Sequence, residues 1–420
     1  MTVSTPAAPS LTTAIAIRVF VPFALGYFLS YLYRVVNAVI APDLVADLGL
    51  GASALGLLTA AYFLTFAAFQ LPLGVLLDHY GPRKIEAGLL VFAALGAALF
   101  AMAESVTSLI LARGLIGFGV SACLMAAFKA YVQWFPKERL ALINGFQMTA
   151  GGLGALAATQ PVEMALGFTD WRGVFWILAG LTLIAAFAIL FVVPERKIER
   201  HADAKLKDAW AGVVEVFTSP VFWRAAPLCM FSQAAFLTIQ GLWSGPWLKD
   251  VGGLARTDVA THLFWIAAAM VAGFFTWGIV AERLHKIKGV PTMTTAAIGM
   301  AGFLCMQVVI ALELTVGNPT LTFLAWVAFG FLATSGILPY AALSQAFPAN
   351  LAGRVNTAIN LLVFVLAFAG QWAVGGIIDL WPQTAAGGYD PAGFQAAFGA
   401  MIVLQAFAMI WYLAKSRGRI

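Results

Sequence analysis

Apolar residues along this chain come in long unbroken runs rather than in alternating or one-faced patterns. A bilayer core about 30 Å thick is crossed by about 20 residues of helix. By that measure, helices are expected near 16–41, 52–77, 84–103, 107–134, 140–166 and 173–193, and then near 222–247, 258–281, 291–313, 320–346, 354–378 and 393–414. Between the two sets lies the one long hydrophilic stretch, Glu195 to Pro220, which holds Arg196, Lys197, Glu199, Arg200, Asp203, Lys205, Lys207 and Asp208. The fold class expected is an all-α polytopic membrane protein. Twelve transmembrane helices would form two six-helix bundles, residues 14–194 and 221–415, joined by a linker at 195–220 with room for a short amphipathic helix on the membrane.

Composition supports the lipid reading. The chain is 62% hydrophobic and 10% charged, where a soluble domain carries roughly 25% charged residues. The net charge of +5 does not signal nucleic acid, because the cations sit in short loops between apolar runs. If the N-terminus is cytoplasmic, one side receives 18 Lys and Arg residues, among them Arg83, Lys84, Arg139, Arg224, Arg283 and Arg354; the other receives only Arg172, Lys249 and Arg256. That asymmetry places both termini in the cytoplasm. Arg34, Arg113 and Lys129 remain inside apolar runs. The first run lacks a charged lead and a cleavage site, so it reads as a retained helix. Cys123, Cys229 and Cys305 lie within apolar runs and read as small packing residues.

The two sets of helices repeat. Gly74-Val-Leu-Leu-Asp78 recurs as Gly278-Ile-Val-Ala-Glu282, 204 positions later, and Phe135-Pro136 with Asn144 recurs as Phe347-Pro348 with Asn356, 212 positions later. Six crossings return the chain to its starting side, so such a repeat is parallel, with its axis along the membrane normal.

The stretch Gly74-Val-Leu-Leu-Asp78-His-Tyr-Gly81-Pro-Arg83-Lys84 resembles the signature loop between helices 2 and 3 of the major facilitator superfamily. Arg113-Gly-Leu-Ile-Gly117-Phe-Gly119 resembles that family's helix-4 motif, and Asp170-Trp171-Arg172 before helix 6 is common there. Trp134-Phe-Pro-Lys-Glu138-Arg139 resembles its organic-anion branches. The stretches from Gln240 to Trp247 and from Arg354 to Asn360 are loosely similar to a bacterial subgroup with copper and riboflavin importers. The resemblance implies a bacterial inner-membrane secondary transporter working by alternating access. It also implies that helices 1, 4, 7 and 10 line the cavity, that Gly74, Asp78, Gly81, Arg83 and Glu282 belong to the gate, and that Arg113 has a structural or coupling role.

Physics gives a parallel reading of these residues. Asp78 ends its helix, where the macrodipole disfavours an anion, and the amino end of helix 11 near Ala352 to Asn356 is the expected partner. Gly74 and Gly81 allow close approach and a tight turn. Tyr27, Tyr31 and Arg34 are spaced i, i+4, i+7 and share a face; Met125, Lys129 and Gln133 share another. With Gln240, Trp243 and Tyr340 on helices 7 and 10, they make the candidate substrate site: Tyr27, Tyr31, Arg34, Lys129, Gln240, Trp243 and Tyr340. The bland alternatives are snorkelling for the two cations and interhelical hydrogen bonding for the glutamines.

Cavity cations without a carboxylate in the middle of helices 1, 4, 7 or 10 favour a small anionic solute and argue against a carboxylate proton relay on those helices. Riboflavin or another flat aromatic solute is the alternative, since Tyr27, Tyr31, Trp243 and Trp247 could stack on a ring. Copper is disfavoured because His262 has Ile266, not Met, four residues on. Drug–proton antiport is disfavoured because Gly145 to Gly154 has glycines but no proline. The four histidines are scattered and no Cys-x-x-Cys or paired-carboxylate cluster occurs, so no enzyme, cofactor or metal site is expected. The expected partners are a small-molecule substrate, protons or a counter-substrate, and the lipid bilayer; no nucleic acid is expected, and the carrier is expected to be a monomer.

Overall fold

The computed structural model describes residues 13–195, 206–348, 351–385 and 387–415. The charged part of the linker at 196–205, including Arg196, Glu199 and Lys205, lies outside the described residues. Among the described residues every regular element is helical.

In the first half, α1 (Thr13–Val35) and α2 (Asn37–Leu48) make crossing 1, α3 (Ala52–Tyr80) crossing 2 and α4 (Pro82–Ala101) crossing 3. Crossing 4 is α5 (Val106–Val120) with α6 (Cys123–Trp134), crossing 5 is α7 (Lys137–Ala157) with α8 (Gln160–Leu166), and crossing 6 is α9 (Trp171–Val192). The linker helix α10 (Leu206–Thr218) follows. Crossing 7 is α11 (Pro220–Thr238), a π-helical turn at Ile239–Trp243, and α12 (Ser244–Asp250). Crossings 8 and 9 are α13 (Arg256–Lys288) and α14 (Thr292–Ala311). Crossing 10 is α15 (Pro319–Ala333), a 3₁₀ turn at Thr334–Ile337, and α16 (Leu338–Gln345); α17 (Ala352–Ile378) and α18 (Pro391–Lys415) are crossings 11 and 12. The described ends, Thr13 and Lys415, therefore share one face, called here the linker face.

Eleven of these crossings are long and apolar enough to span a bilayer by themselves. The other, α7 with α8, starts on Lys137-Glu-Arg139 and carries four glycines and polar residues in its middle, which lowers its hydropathy. It is placed by packing: Gly151 and Gly154 bring it against Tyr27, Tyr31 and the Phe28 carbonyl of α1. Small residues are what let helices approach closely in lipid, where no hydrophobic force drives them together.

Crossing 1 continues to Leu48, past the expected end near 41, and is stopped by Gly49 with φ 61°. Crossing 7 is 72% buried and crossing 4 is 67% buried, against 28% for crossing 12, so the first two are interior and the last faces lipid. The two halves of the chain meet along α3 with α17 and along α13 with α7 and α8. Near the opposite face α2 also packs on α12. Gly375 brings α17 onto the Ala52 carbonyl, and Gly245 brings α12 onto the Ala38 carbonyl.

The linker helix α10 buries Val213 and Val216 while Trp210 and Val214 stay exposed. It packs on both α3 and α17, one from each half. Of the cysteines, Cys123 and Cys229 are buried, whereas Cys305 is exposed on the outer surface of α14, contrary to its reading as a packing residue.

Candidate functional site

Arg34 stands in the last turn of α1, 7% exposed, at the seam between the halves. Its guanidinium carbon is 4.4 Å from the Tyr31 ring centroid, 5.5 Å from that of Phe66 on α3, and 5.5 Å from that of Phe364 on α17. Phe66 and Phe364 pack at 4.5 Å, closing the cage across the seam. Arg34 Nε is buried without a hydrogen-bond partner, and among the described residues no carboxylate pairs with this cation. Ring faces give about 0.5–2 kcal/mol to a cation, while desolvating an ion costs several kcal/mol. The charge is thus held but not neutralised.

Tyr27 packs edge-on to Tyr31 at 5.2 Å, so the helical face read from the i, i+4, i+7 spacing is one surface. The π-helical turn of crossing 7 lies against it. A side chain at Gly241 would meet the Gln371 amide nitrogen at 3.2 Å and the Arg34 carbonyl at 3.6 Å. Widened turns of this kind recur at functional sites in helices. The Tyr340 hydroxyl donates to Asn360 Oδ1 at 2.9 Å.

Three other candidates are placed differently. Gln240 is buried with its amide 3.4 Å from Met270 Sδ. Trp243 is fully buried and its indole N–H donates to the Gln371 carbonyl at 3.2 Å. The hydrogen-bond partners of both lie in the second half, although the Trp243 ring also reaches Gly56 of α3. Lys129 forms an ion pair with Asp78, so its charge is already balanced and it does not join Arg34. The same pair corrects the expected partner of Asp78: the contact runs to crossing 4 of its own half, not to the amino end of α17. A lysine one helix away reaches the carboxylate directly, which a helix dipole across the seam cannot match.

The other gate candidates also bond within their own half. Arg83 donates to the Leu190 carbonyl, and Lys84 pairs with Glu195 at 3.1 Å. Lys84, bonded to Glu195, and Arg83 beside it hold the Glu195 carboxyl below the usual carboxylate range. Glu282 pairs with Lys286 one turn on. Gly81, at φ 82°, makes the tight turn expected of it, whereas Gly74 has nothing within 4 Å and makes no close approach. Arg113 is fully buried; one amino group donates to the Tyr33 carbonyl at 2.9 Å and its other two nitrogens have no partner.

At the face opposite the linker, polar bonds cross the seam. Arg256, at the start of α13, grips both oxygens of Asp43 at 2.7 and 2.6 Å and reaches Glu163 at 2.7 Å. Asp379, at the end of α17, accepts from the Ala52 and Ser53 N–H groups at 2.9 and 2.8 Å, capping α3 with a carboxylate from the other half. An anion suits that end of a helix. Above the Arg256 bonds opens a cavity of about 790 Å³ lined by Asp43, Asp47, Glu163, Asp170 and Arg256.

The sequence reading missed Phe66, Phe364, Arg256, Asp43 and Asp379. The first two are apolar residues in apolar crossings, with nothing to mark them. Arg256 carried a signal, as one of three cations on a face that otherwise has none.

The profile described as the Major Facilitator Superfamily matches residues 23–371. The chain is 27% identical over 303 residues to the probable sulfoacetate transporter SauU of Cupriavidus necator, covering 67% of this chain and 69% of that one. It is 25% identical over 403 residues to the hexuronate transporter of Bacillus subtilis, covering 90% and 91%. Among solved structures it is similar to a bacterial homologue of the human lysosomal transporter Spinster, in an inward-facing and occupied conformation, with a TM-score of 0.75 at 17% identity over 97% of this chain and 98% of that one. That likeness carries the fold alone.

Proposed function

The chain belongs to the major facilitator superfamily, and from that premise we propose that it is a secondary carrier of a small organic anion, bound at the seam by Arg34. One observation carries this reading: a cation deep in the protein, caged by rings from both halves, without a carboxylate among the described residues to balance it. A substrate carboxylate or sulfonate would supply that balance, and a guanidinium grips such groups with two parallel hydrogen bonds. The relatives named for sulfoacetate and hexuronate support the same chemistry. Tyr31 and Tyr27 form the wall beside the anion and Tyr340 the wall of the second half.

Residues 14–194 and 221–415 are the two bodies of the alternating cycle in this reading. The arrangement seen is the one closed at the face opposite the linker, locked by Arg256 with Asp43 and Glu163 and by Asp379 on α3. Lysine and arginine placement puts the linker face, and both termini, in the cytoplasm. Asp78 and Lys129 then form the inner gate, and Lys129 moves from the substrate site to that gate.

A flavin or other flat aromatic solute draws no support from the indoles. Trp243 is bound to Gln371, and Trp247 is buried against Trp326 at 5.3 Å between ring centroids. The test is counterflow in proteoliposomes with labelled glucuronate, tartrate and sulfoacetate. Exchange of at least one anion, lost in Arg34→Ala, is expected. Exchange of neutral sugars alone, unaffected by that change, overturns the reading.

A further inference from the structure

The face of α3 that meets the second half changes character along its length. At its amino end Ala52 and Ser53 bond Asp379. One turn on, a side-chain carbon at Gly56 would come within 2.5 Å of the Gln371 carbonyl oxygen. Thr59 then accepts from Asn37 Nδ2 at 2.9 Å, and Phe66 packs on Phe364 in the Arg34 cage. Residues three and four apart share a helix face, so the lock, a polar layer and the cage follow one another along one seam. Each half contributes to the polar layer. Asn37 begins α2, three residues after Arg34, and Gln371 stands on α17, two turns beyond Phe364. The π-helical turn braces Gln371: the Trp243 indole N–H donates to its carbonyl, and the bare Gly241 position brings its amide nitrogen beside the Arg34 carbonyl.

Asn37 and Gln371 are both fully buried, and each has one end of its amide engaged and the other free. Asn37 Nδ2 is taken by Thr59. Gln371 Nε2 donates to the Thr238 carbonyl at 3.4 Å; a carbonyl can only accept, which fixes the end of the amide that faces it. The free atoms are Asn37 Oδ1 and Gln371 Oε1, and among the described residues neither has a hydrogen-bond partner. Leaving a buried acceptor unpaired is costly. Amide oxygens accept and do not donate, so they repel a carboxylate and suit an O–H group.

We propose that Asn37 and Gln371 form a hydroxyl-recognition subsite next to Arg34, one residue from each half, and that the anion carried bears hydroxyl groups on its carbon chain. The guanidinium takes the acid group, and the two amide oxygens accept from the hydroxyls. In the arrangement seen, the Asp379 cap and the Gly375 contact with α3 close over this layer. It opens with the face opposite the linker and reads the solute as the halves come together. The subsite rests on the reading of Arg34 as the anion site.

The test compares anions that differ only in hydroxyl groups: tartrate with succinate, lactate with propionate, and isethionate with ethanesulfonate. Affinities are read by thermal shift and by counterflow inhibition for the wild type, Gln371→Met and Asn37→Leu, two variants close in size to the residues they replace. In the wild type the hydroxylated member of a binding pair should be held about tenfold more tightly, the worth of one or two hydrogen bonds. Each variant should shrink that preference by weakening the hydroxylated member alone. Sulfoacetate, which has no hydroxyl, should be unmoved by either change. Equal affinity within every pair in the wild type overturns the subsite. So does a preference that persists in both variants, or a loss that falls alike on both members of a pair. Anion binding without hydroxyl preference removes the subsite alone, whereas no shift with any anion removes the anion reading and the subsite with it.

Discussion

The guanidinium of Arg34 on α1 and the ring of Phe364 on α17 stand 5.5 Å apart and belong to opposite halves of the chain. The charge that would receive substrate is thereby one of the contacts that join the halves. An anion bound there and the Phe364 ring would both act on the same cation, which would couple occupancy to seam closure at one side chain. Phe364→Leu removes the ring face, worth about 0.5–2 kcal/mol, and keeps a smaller apolar side chain in its place. Anion affinity by thermal shift or counterflow should change by no more than about thirtyfold. Arg34→Ala should abolish binding, and Arg34→Lys should restore little, because an ammonium lacks the planar fork.

Asp78→Asn should lower transport without lowering the amount of protein in the membrane. The Lys129 pair is partly exposed, at 26% and 45% for the two side chains, so its direct worth is about 0–1 kcal/mol and folding should survive. Lys129→Gln should have the same effect, and the double variant no more than either single one, since both remove one interaction. Additive losses measured in uptake assays would show the residues acting separately.

Arg256→Gln should loosen the face opposite the linker. In a Cys305→Ser background, a cysteine replacing Ala260, which is buried behind the Arg256 bonds, should react faster with a membrane-impermeant maleimide when Arg256 is changed. Arg256→Lys should behave like Arg256→Gln, because an ammonium cannot hold both Asp43 oxygens and Glu163 together. Unchanged labelling would mean that the bonds decorate a seal made by packing alone.

Asp379→Asn keeps a side chain that can accept from Ala52 and Ser53 but removes its charge at the α3 amino end. A loss of about 0.3–1 kcal/mol is expected from the dipole, with the full cap loss of about 0.5–2 kcal/mol in Asp379→Ala. The order wild type, Asn, Ala in thermal unfolding is the check, and equal losses in the two variants would assign the whole effect to the hydrogen bonds.

The crossings were legible in the sequence because bilayer thickness imposes a length, and the Tyr27–Tyr31–Arg34 surface because helix geometry imposes a spacing. Partner choice was not legible. Asp78 and Lys129 are 51 positions apart on different crossings, and each could have met several charges near the linker face. Phe66 and Phe364 differ in no local respect from the other phenylalanines of their runs. Glu86, two residues after Lys84, is fully buried, and that burial depends on Gly26 of another crossing. The α7 crossing lacked hydropathy because its glycines and polar residues serve helix–helix contact rather than lipid.

The junction of α10 with α11 has a mechanical meaning. One residue, Ser219, separates the two helices, and the Trp223 indole N–H donates back across the bend to the Phe217 carbonyl at 2.7 Å. Phe217 also stacks on Trp223 with ring centroids 6.2 Å apart and meets Phe222 at 5.6 Å. Such an elbow transmits torque. The second part of the linker is then an arm fixed to crossing 7, and a tilt of that crossing would sweep α10 across the ends of α3 and α17, on which it packs. In the alternating cycle proposed above, the connection between the halves would work less as a tether than as a lever whose stroke is set by the angle of its own elbow.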